Sequence, residues 1–412
     1  MDLGIENTKV YAEVLEQGAI SQFAEAMALD CNIQGALMPD AHQGYTLPIG
    51  AVVKSLNKVF PAYVGYDIGC GMCATKLDIT ADELDLEKLR DGIVKNVPLG
   101  MNRHKKAQAY KPFVHTEVAA KAYESSGKYQ LGTLGGGNHF IEIGTGNDGK
   151  VWIVIHSGSR GFGYKIAEHY MKEAAIANTD EERYKIEFKE KNQNWIDSIT
   201  KLNDDKRHIA LEKLHKAMDE FVYRRVRARL STNIEGHYGL DINSERGKDY
   251  LKDLDCALEY ALENRKRMIN EIEKLMGSPK VLDFINRNHN HAEVTGNEVI
   301  HRKGATHAEF GMKGVIPGNM KDGSFIVSGK GNVDSMNSSS HGAGRVLSRS
   351  KAKKTLDLDE FNETMKGVVT NHTDGTLDES PKAYKNIFEV MDLQSDLVDV
   401  IDRVIPILNV KG

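Results

Sequence analysis

Hydrophobic spacing divides the chain into three stretches. In the first third, Ile49-Gly-Ala-Val-Val53 and Ala62-Tyr-Val-Gly-Tyr66 are short apolar runs bounded by Gly and Pro, which predicts strands. Asn138-His-Phe-Ile-Glu-Ile143 alternates with period two, as in a strand with one buried face. Val151-Trp-Ile-Val-Ile155 is continuously apolar, as in a strand buried on both faces. From about Tyr164 to Met276 Gly becomes scarce and charge dense. Apolar residues there recur at helical spacing, at Ile209, Leu211, Leu214, Met218, Phe221 and Val222, and again at Leu251, Leu254, Ala257, Leu258, Ala261 and Leu262. After Val281 the strand-and-Gly texture returns in Val294, Val299-Ile300, Gly314-Val-Ile-Pro317 and Ser324-Phe-Ile-Val327, and the tail Leu393 to Val410 is again apolar. The pattern predicts an α+β fold, one domain over residues 1–412, with a mostly helical insertion around 164–276. Segments rich in His, Cys and Gly flank that insertion and are expected to converge.

Composition narrows the class. A chain of 412 residues, 40% hydrophobic and 27% charged, is that of a soluble globular protein with an ample core. No apolar run approaches the roughly 18 residues of a membrane span. The N-terminus lacks the basic and apolar regions of a secretory signal, so no membrane partner and a cytoplasmic location are expected. Four cysteines in so long a chain are not a disulfide framework. Net charge is −5, so any contact with nucleic acid must be a local patch. The 15 histidines and 38 glycines stand out more than the charge does.

Several of those histidines sit where chemistry can be done. Asp67-Ile-Gly-Cys70 places a carboxylate and a thiol in one Gly turn, a pairing suited to a divalent metal, and a thiolate can bridge two ions. Cys73 completes a C-x-x-C, but no second pair exists for a zinc knuckle and no clear helix follows for a redox motif, so it reads as a packed core residue. His139 leads into a strand and His156 leaves one, while His289 and His291 stand in Asn286-Arg-Asn-His-Asn-His291. Singly, each is commonly structural. Jointly, Asp67, Cys70, His139, His156 and His289 make a five-ligand centre. Asp40-Ala-His42 is a polar turn that can support such a site from behind.

His341 lies in a Ser/Gly loop, Met336-Asn-Ser-Ser-Ser-His-Gly-Ala-Gly-Arg345, ahead of a basic helix-like run from Val346 to Lys354. Gly lets the backbone approach a ligand, and loop N–H groups with a following helix N-terminus attract phosphate. An imidazole there can attack phosphorus as well as bind it; it can equally be an incidental surface histidine. Arg160, in Ser157-Gly-Ser-Arg-Gly161, can fork an RNA phosphate. The basic groups Arg345, Arg349, Lys351, Lys353, Lys354 and Arg224, Arg225, Arg227, Arg229 have the composition of solvated helix faces, and either can also track a phosphate backbone.

Taken together, Met38-Pro-Asp-Ala-His42, Asp67-Ile-Gly-Cys-Gly71, Gly135-Gly-Gly-Asn-His-Phe-Ile-Glu142, His156-Ser-Gly-Ser-Arg-Gly161, Pro317-Gly-Asn-Met320 and Ser340-His-Gly-Ala-Gly-Arg345 resemble the RtcB family of RNA-splicing ligases. These blocks stand in the family's order and run almost end to end. The resemblance implies the family's own α+β architecture. It implies joining of RNA 3′-phosphate or 2′,3′-cyclic phosphate ends to 5′-hydroxyl ends, in RNA repair or tRNA splicing, with GTP as co-substrate. His341 would carry a covalent guanylate, and the RNA end would pass through a 3′-diphosphate-guanosine.

The same resemblance implies two Mn²⁺ ions on Asp67, Cys70, His139, His156 and His289, with Cys70 bridging; Asn290 after His289 selects it over His291. The Cys/His donor set by itself favours Zn²⁺. Nucleotide contacts would fall on Asn138, His139, Phe140, Ile141, Glu142, His289 and Asn290. They would continue through Pro317, Gly318, Asn319, Met320, Ser324, His341, Gly342, Ala343, Gly344 and Lys411. The resemblance leaves open a separate activator protein. Two departures bear on substrate choice: Gln43-Gly-Tyr-Thr-Leu-Pro48 replaces a common Gly-Lys-Gly, and Asn319 stands where Ser is frequent. The main competing reading is a metal-dependent phosphodiesterase with His341 uncovalent, for which the nucleotide loops would be superfluous. A non-catalytic RNA-binding protein would leave the nucleophile and ligands unexplained.

Overall fold

The computed structural model describes residues 1–112, 114–232 and 234–412; the side chains of Arg229, Ser231 and Thr232 also lie outside the described residues, and with them one arginine of the 224–229 cluster. In chain order come β1 (Thr8–Val10), β2 (Asn32–His42), β3 (Ile49–Leu56), β4 (Lys58–Val59), β5 (Gly71–Thr80), β6 (Phe140–Thr145) and β7 (Lys150–Ser157). Five helices follow, Arg160–Ala177, Glu181–Lys191, Gln193–Thr200, Asp204–Thr232 and Glu245–Leu275, with the two-residue β8 (Leu240–Asp241) before the last. Then come β9 (Val281–Asn288), β10 (Asn290–Thr295), β11 (Glu298–Lys303), β12 (Ala305–His307), β13 (Lys313–Pro317), β14 (Ser324–Gly329) and β15 (Ser338–Ser340). After two short helices, β16 (Val369–Thr370) and β17 (Val398–Lys411) complete the set.

Two sheets dominate. The larger has the order β13-β14-β17-β6-β7-β5-β9, antiparallel throughout, with β16 beside β17. The smaller has the order β1-β2-β3-β11-β10, and β12 pairs with β15 in a separate two-stranded sheet. The continuous apolar run on β7 has a physical cause: both of its faces are covered. Val151, Ile153 and Ile155 pack with Ile141, Ile143 and the helix residues Met268, Ile269 and Ile272, while Trp152 and Val154 pack with Phe140, Val315 and Ile326 on the other side. Each such side chain contributes on the order of 1.5–3 kcal/mol of burial. The alternation on β6 turns Ile141 and Ile143 to that core and leaves Phe140 and Glu142 for the opposite face.

Two expectations change. Ala62–Tyr66 is not a strand: Pro61–Val64 forms a four-residue helix, all of it buried, because Pro61 at the first helical position presets φ and needs no donor. The basic run behind His341 begins its helix only at Arg349, capped by Ser348, so that helix does not start directly behind the His341 loop. No helix among the described residues is long and apolar enough to cross a membrane.

Candidate active site

The sheet register gathers the ligand-type side chains at one edge. Gly71, at the start of β5, pairs with Ser157 at the end of β7 and with Asn288 at the end of β9, so Cys70, His156 and His289 emerge side by side. Phe140 pairs with His156, which brings His139 to the same place. Only glycine fits at 71, since a Cβ there would lie 2.0 Å from the Arg287 carbonyl oxygen.

The donor atoms converge. Cys70 Sγ lies 3.1 Å from His156 Nε2 and 3.4 Å from His139 Nε2. His156 Nε2 is 3.3 Å from His289 Nε2, and His139 Nε2 is 3.4 Å from Asp67 Oδ2. They form two sets, Cys70–His156–His289 and Asp67–Cys70–His139, which share the sulfur. Leu134 O lies 2.9 Å from His139 Nδ1 and Asn138 O lies 3.2 Å from His156 Nδ1. A carbonyl only accepts, so Nδ1 carries a proton on both rings, and His156, held neutral by burial, turns its Nε2 lone pair to the sulfur.

Burial, with the surrounding imidazoles, holds His156 and His289 well below the usual histidine range, which keeps them neutral. Burial also pushes the Cys70 thiol up, and the Asp67 carboxylate adds to this. For Asp67 burial alone would raise the carboxyl, but His139, Cys70 and Arg160 together bring it below the usual range. The single Cys70 S–H can meet only one of the donor atoms that converge on the sulfur, and a divalent cation at each of the two sets would satisfy the rest. A third group, His291, Glu293 and His307, already contains a cation: Arg302 Nη1 lies 3.2 Å from His291 Nε2 and 2.5 Å from Glu293 Oε2.

His341 reaches this centre from the separate β12–β15 pair. Ser340, at the end of β15, pairs with Ala305, and the His341 ring stands 4.8 Å from that of His289. Asp40 Oδ2, near the end of β2, is 2.6 Å from His341 Nδ1 and accepts the His341 backbone N–H at 3.3 Å. The imidazole contact lies off the in-plane N–H direction, so it is a close approach rather than an aligned hydrogen bond. Gly344 has φ +75, and a Cβ there would lie 2.4 Å from Asp40 O, so the loop lies flat on β2. Lys385 ties the two together: its Nζ donates to Pro39 O and Ala41 O, and its backbone N–H to Gly344 O.

Between the ligand sets and His341 opens a cavity of about 360 Å³. Asp67, Cys70, His156, His289 and His341 all line it. The family model described as tRNA-splicing ligase RtcB matches residues 22–118 and 111–412. The chain belongs to the RtcB family. It is 34% identical to the RNA-splicing ligase RtcB of Escherichia coli K12, over 92% of this chain and 90% of the relative. It is 27% identical to the tRNA-splicing ligase RtcB of Nanoarchaeum equitans, over 91% and 87%, and 26% identical to that of Archaeoglobus fulgidus, over 95% and 88%.

In this RtcB chain the other expected nucleotide residues divide by position. Asn138, Phe140, Glu142 and Asn290 line the cavity, as do Pro317 to Met320, Gly342 to Gly344 and Lys411. His139 sits behind it among the converging donor groups. Ile141 points into the core under the sheet. Ser324 is buried behind Glu142 and donates to its Oε1 at 2.9 Å. The Asn319 amide is committed to its own turn, donating to Asp322 and accepting from the Lys321 and Asp322 N–H groups. Arg160 does not line the cavity; it lies beneath Gly135 and donates to Gly100 O.

Other groups escape a sequence reading. Arg345 and Arg349 do not form a solvated face: both line the cavity and pair with Glu379, Arg349 also with Asp378. Lys411 Nζ pairs with Glu379 Oε2 at 2.9 Å. Burial would raise Glu379, but Lys411 and Arg349 bring it down to about 2. Lys303 also lines the cavity and is pushed down to about 8 by burial. No motif marks Lys303 or Glu379; only the fold brings them here.

Proposed function

We propose that this protein is a GTP-dependent RNA ligase that joins 3′-phosphate or 2′,3′-cyclic phosphate ends to 5′-hydroxyl ends in the cytoplasm, in RNA repair or tRNA splicing. The observation that carries the reading is the placing of His341 on the cavity wall, with Asp40 at Nδ1 and a paired Cys/His/Asp ligand centre beside it. Asp40 at Nδ1 leaves Nε2 as the attacking nitrogen. Attack on the α-phosphorus of GTP forms an N–P bond, breaks the bond to pyrophosphate, and leaves positive charge on the ring beside the Asp40 carboxylate. An RNA 3′-phosphate oxygen then displaces His341, giving a 3′-diphosphate-guanosine end. The 5′-hydroxyl attacks the RNA phosphorus, loses its proton and releases GMP.

Asp67, Cys70, His139, His156 and His289 would hold two Mn²⁺ ions, which when bound neutralise phosphate charge in displacements of this kind. The remaining cavity residues bind and orient. Gly342 to Gly344 let the backbone approach the phosphate. Arg345 and Arg349 offer guanidinium groups at the same wall. Glu142 supports guanine over adenine: an ionised carboxylate accepts from both donors on the guanine Watson–Crick edge, where adenine presents an acceptor.

The test is covalent labelling. Protein incubated with α-phosphorus-labelled GTP and Mn²⁺ and then denatured should retain label, and His341→Ala should retain none. Equal label in both proteins, or none in either, sinks the guanylate reading and favours a hydrolase built on the same ligands.

A further inference from the structure

The helix Glu245–Leu275 reaches the back of the ligand centre with two adjacent, fully buried residues, Asn264 and Arg265. Arg265 spreads its guanidinium over three distant chain segments. Nη1 donates to Gly69 O and to Ser157 O, each at 2.8 Å. Nη2 donates to Asn288 Oδ1 and Nε to Asn286 Oδ1, each at 2.7 Å. Gly69, Ser157 and Asn288 are the immediate neighbours in the chain of Cys70, His156 and His289.

Asn264 takes the remaining histidine segment. Its Oδ1 accepts from the Gly132 and Thr133 N–H groups at 2.7 and 3.1 Å, and its Nδ2 donates to Thr133 O, Ser157 Oγ and Gly158 O. The Ser157 hydroxyl in turn donates to Leu134 O at 2.7 Å, the carbonyl that orients His139. A buried cation is expensive unless every donor is met. Among the described residues no carboxylate pairs with Arg265; its partners are carbonyl and amide oxygens of the ligand-bearing segments. Generic core packing would not call for such a group, whereas holding four loop ends in register does.

We infer that Asn264 and Arg265 are positioning residues that assemble the metal centre, fixing Cys70, His139, His156 and His289 before an ion arrives. The helical block thus serves the site without lining it. This inference rests on the metal-centre reading above.

The test is metal affinity, measured on the full chain with cobalt(II) through the sulfur-to-cobalt charge-transfer band of Cys70, and with Mn²⁺ by electron paramagnetic resonance. Orienting partners of metal ligands typically govern affinity by about tenfold to a hundredfold, and losses of that size are expected in Arg265→Lys and in Asn288→Ala. Asn288→Ala removes one acceptor of the guanidinium while keeping the helix and all five ligands, so it reports on positioning should Arg265 variants unfold. Wild-type cobalt affinity in Asn288→Ala, or in any Arg265 variant with native circular dichroism, overturns the inference. Absence of the sulfur-to-cobalt band in the wild-type protein overturns the metal-centre reading instead.

Discussion

Asp40 Oδ2 lies 2.6 Å from His341 Nδ1, although 301 residues separate the two in sequence. Gly344 and Lys385 hold that approach by locking the loop onto β2. Removing the carboxylate charge frees the ring to adopt the wrong tautomer. Asp40→Asn is therefore expected to slow guanylylation of His341 by about a hundredfold or more, in the range of positioned acid–base groups. The GTP concentration at half-maximal rate should move little. Quenched-flow labelling with GTP measures both, and an unchanged rate would remove Asp40 from the mechanism.

Cys70 and Cys73 are three residues apart and face opposite ways. Cys70 Sγ points at His139 and His156, and Cys73 packs in the core with Ile141, Ile155 and Met268. Cys70→Ala should lose Mn²⁺ binding and guanylylation together. Cys73→Ala should keep both, at a stability cost of about 1 kcal/mol for the lost packing. Metal analysis of the dialysed variants separates the two, and metal loss in Cys73→Ala would restore the C-x-x-C as a site.

Glu142 gives a pH signature. Burial raises its carboxyl to about 8, against the relief offered by Ser324 and Lys411. The folded protein therefore holds a proton on Glu142 that the unfolded chain releases near pH 4.5, and stability from this group falls as pH rises between those values. Glu142→Gln should be the more stable protein at pH 8, by roughly 1 kcal/mol or more. It should also bind GTP about tenfold or more weakly, since its amide NH₂ meets a guanine donor. In the wild-type protein GTP binding should strengthen as pH rises from 6 towards 8 and should release protons, measurable by calorimetry in buffers of different ionisation enthalpy. A flat pH profile would mean that Glu142 does not read guanine as an anion.

Tyr45 is 73% exposed at the cavity mouth, on a turn that Gln22 grips through Gly44. Its position in the run that departs from Gly-Lys-Gly suits stacking on an RNA base rather than charge on a phosphate. Base–aromatic stacking is worth about 1–3 kcal/mol, so Tyr45→Ala should raise the KM for RNA about fivefold to a hundredfold, and more than the KM for GTP. Tyr45→Trp should restore it. Equal shifts in both KM values would assign the loop to the nucleotide.

The sequence announces those parts of the site that are local. His139 and His156 stand at ends of strands visible as period-two and continuous apolar runs, and Gly71 and Gly344 sit where backbone meets backbone. Hidden from the sequence are groups that matter only through long-range register. Arg345 and Arg349 look like a surface stripe because the acidic partners that turn them inward, Asp378 and Glu379, lie about thirty residues on. Arg265 sits in an ordinary amphipathic repeat, and nothing local distinguishes it from a solvated arginine. The Pro61–Val64 helix was illegible for a different reason: four apolar residues carry no period, and only burial on all sides decides between strand and helix.

The place of β17 has a consequence for how the protein is made. This strand lies in the middle of the large sheet, between β14 and β6, and delivers Lys411 to the cavity wall. A nascent chain that has not reached residue 398 holds two half-sheets with no seam between them. Translation must run past Lys411 before the cavity wall is complete, so a product stalled short of β17 lacks both the seam of the large sheet and the Lys411 ammonium at the cavity.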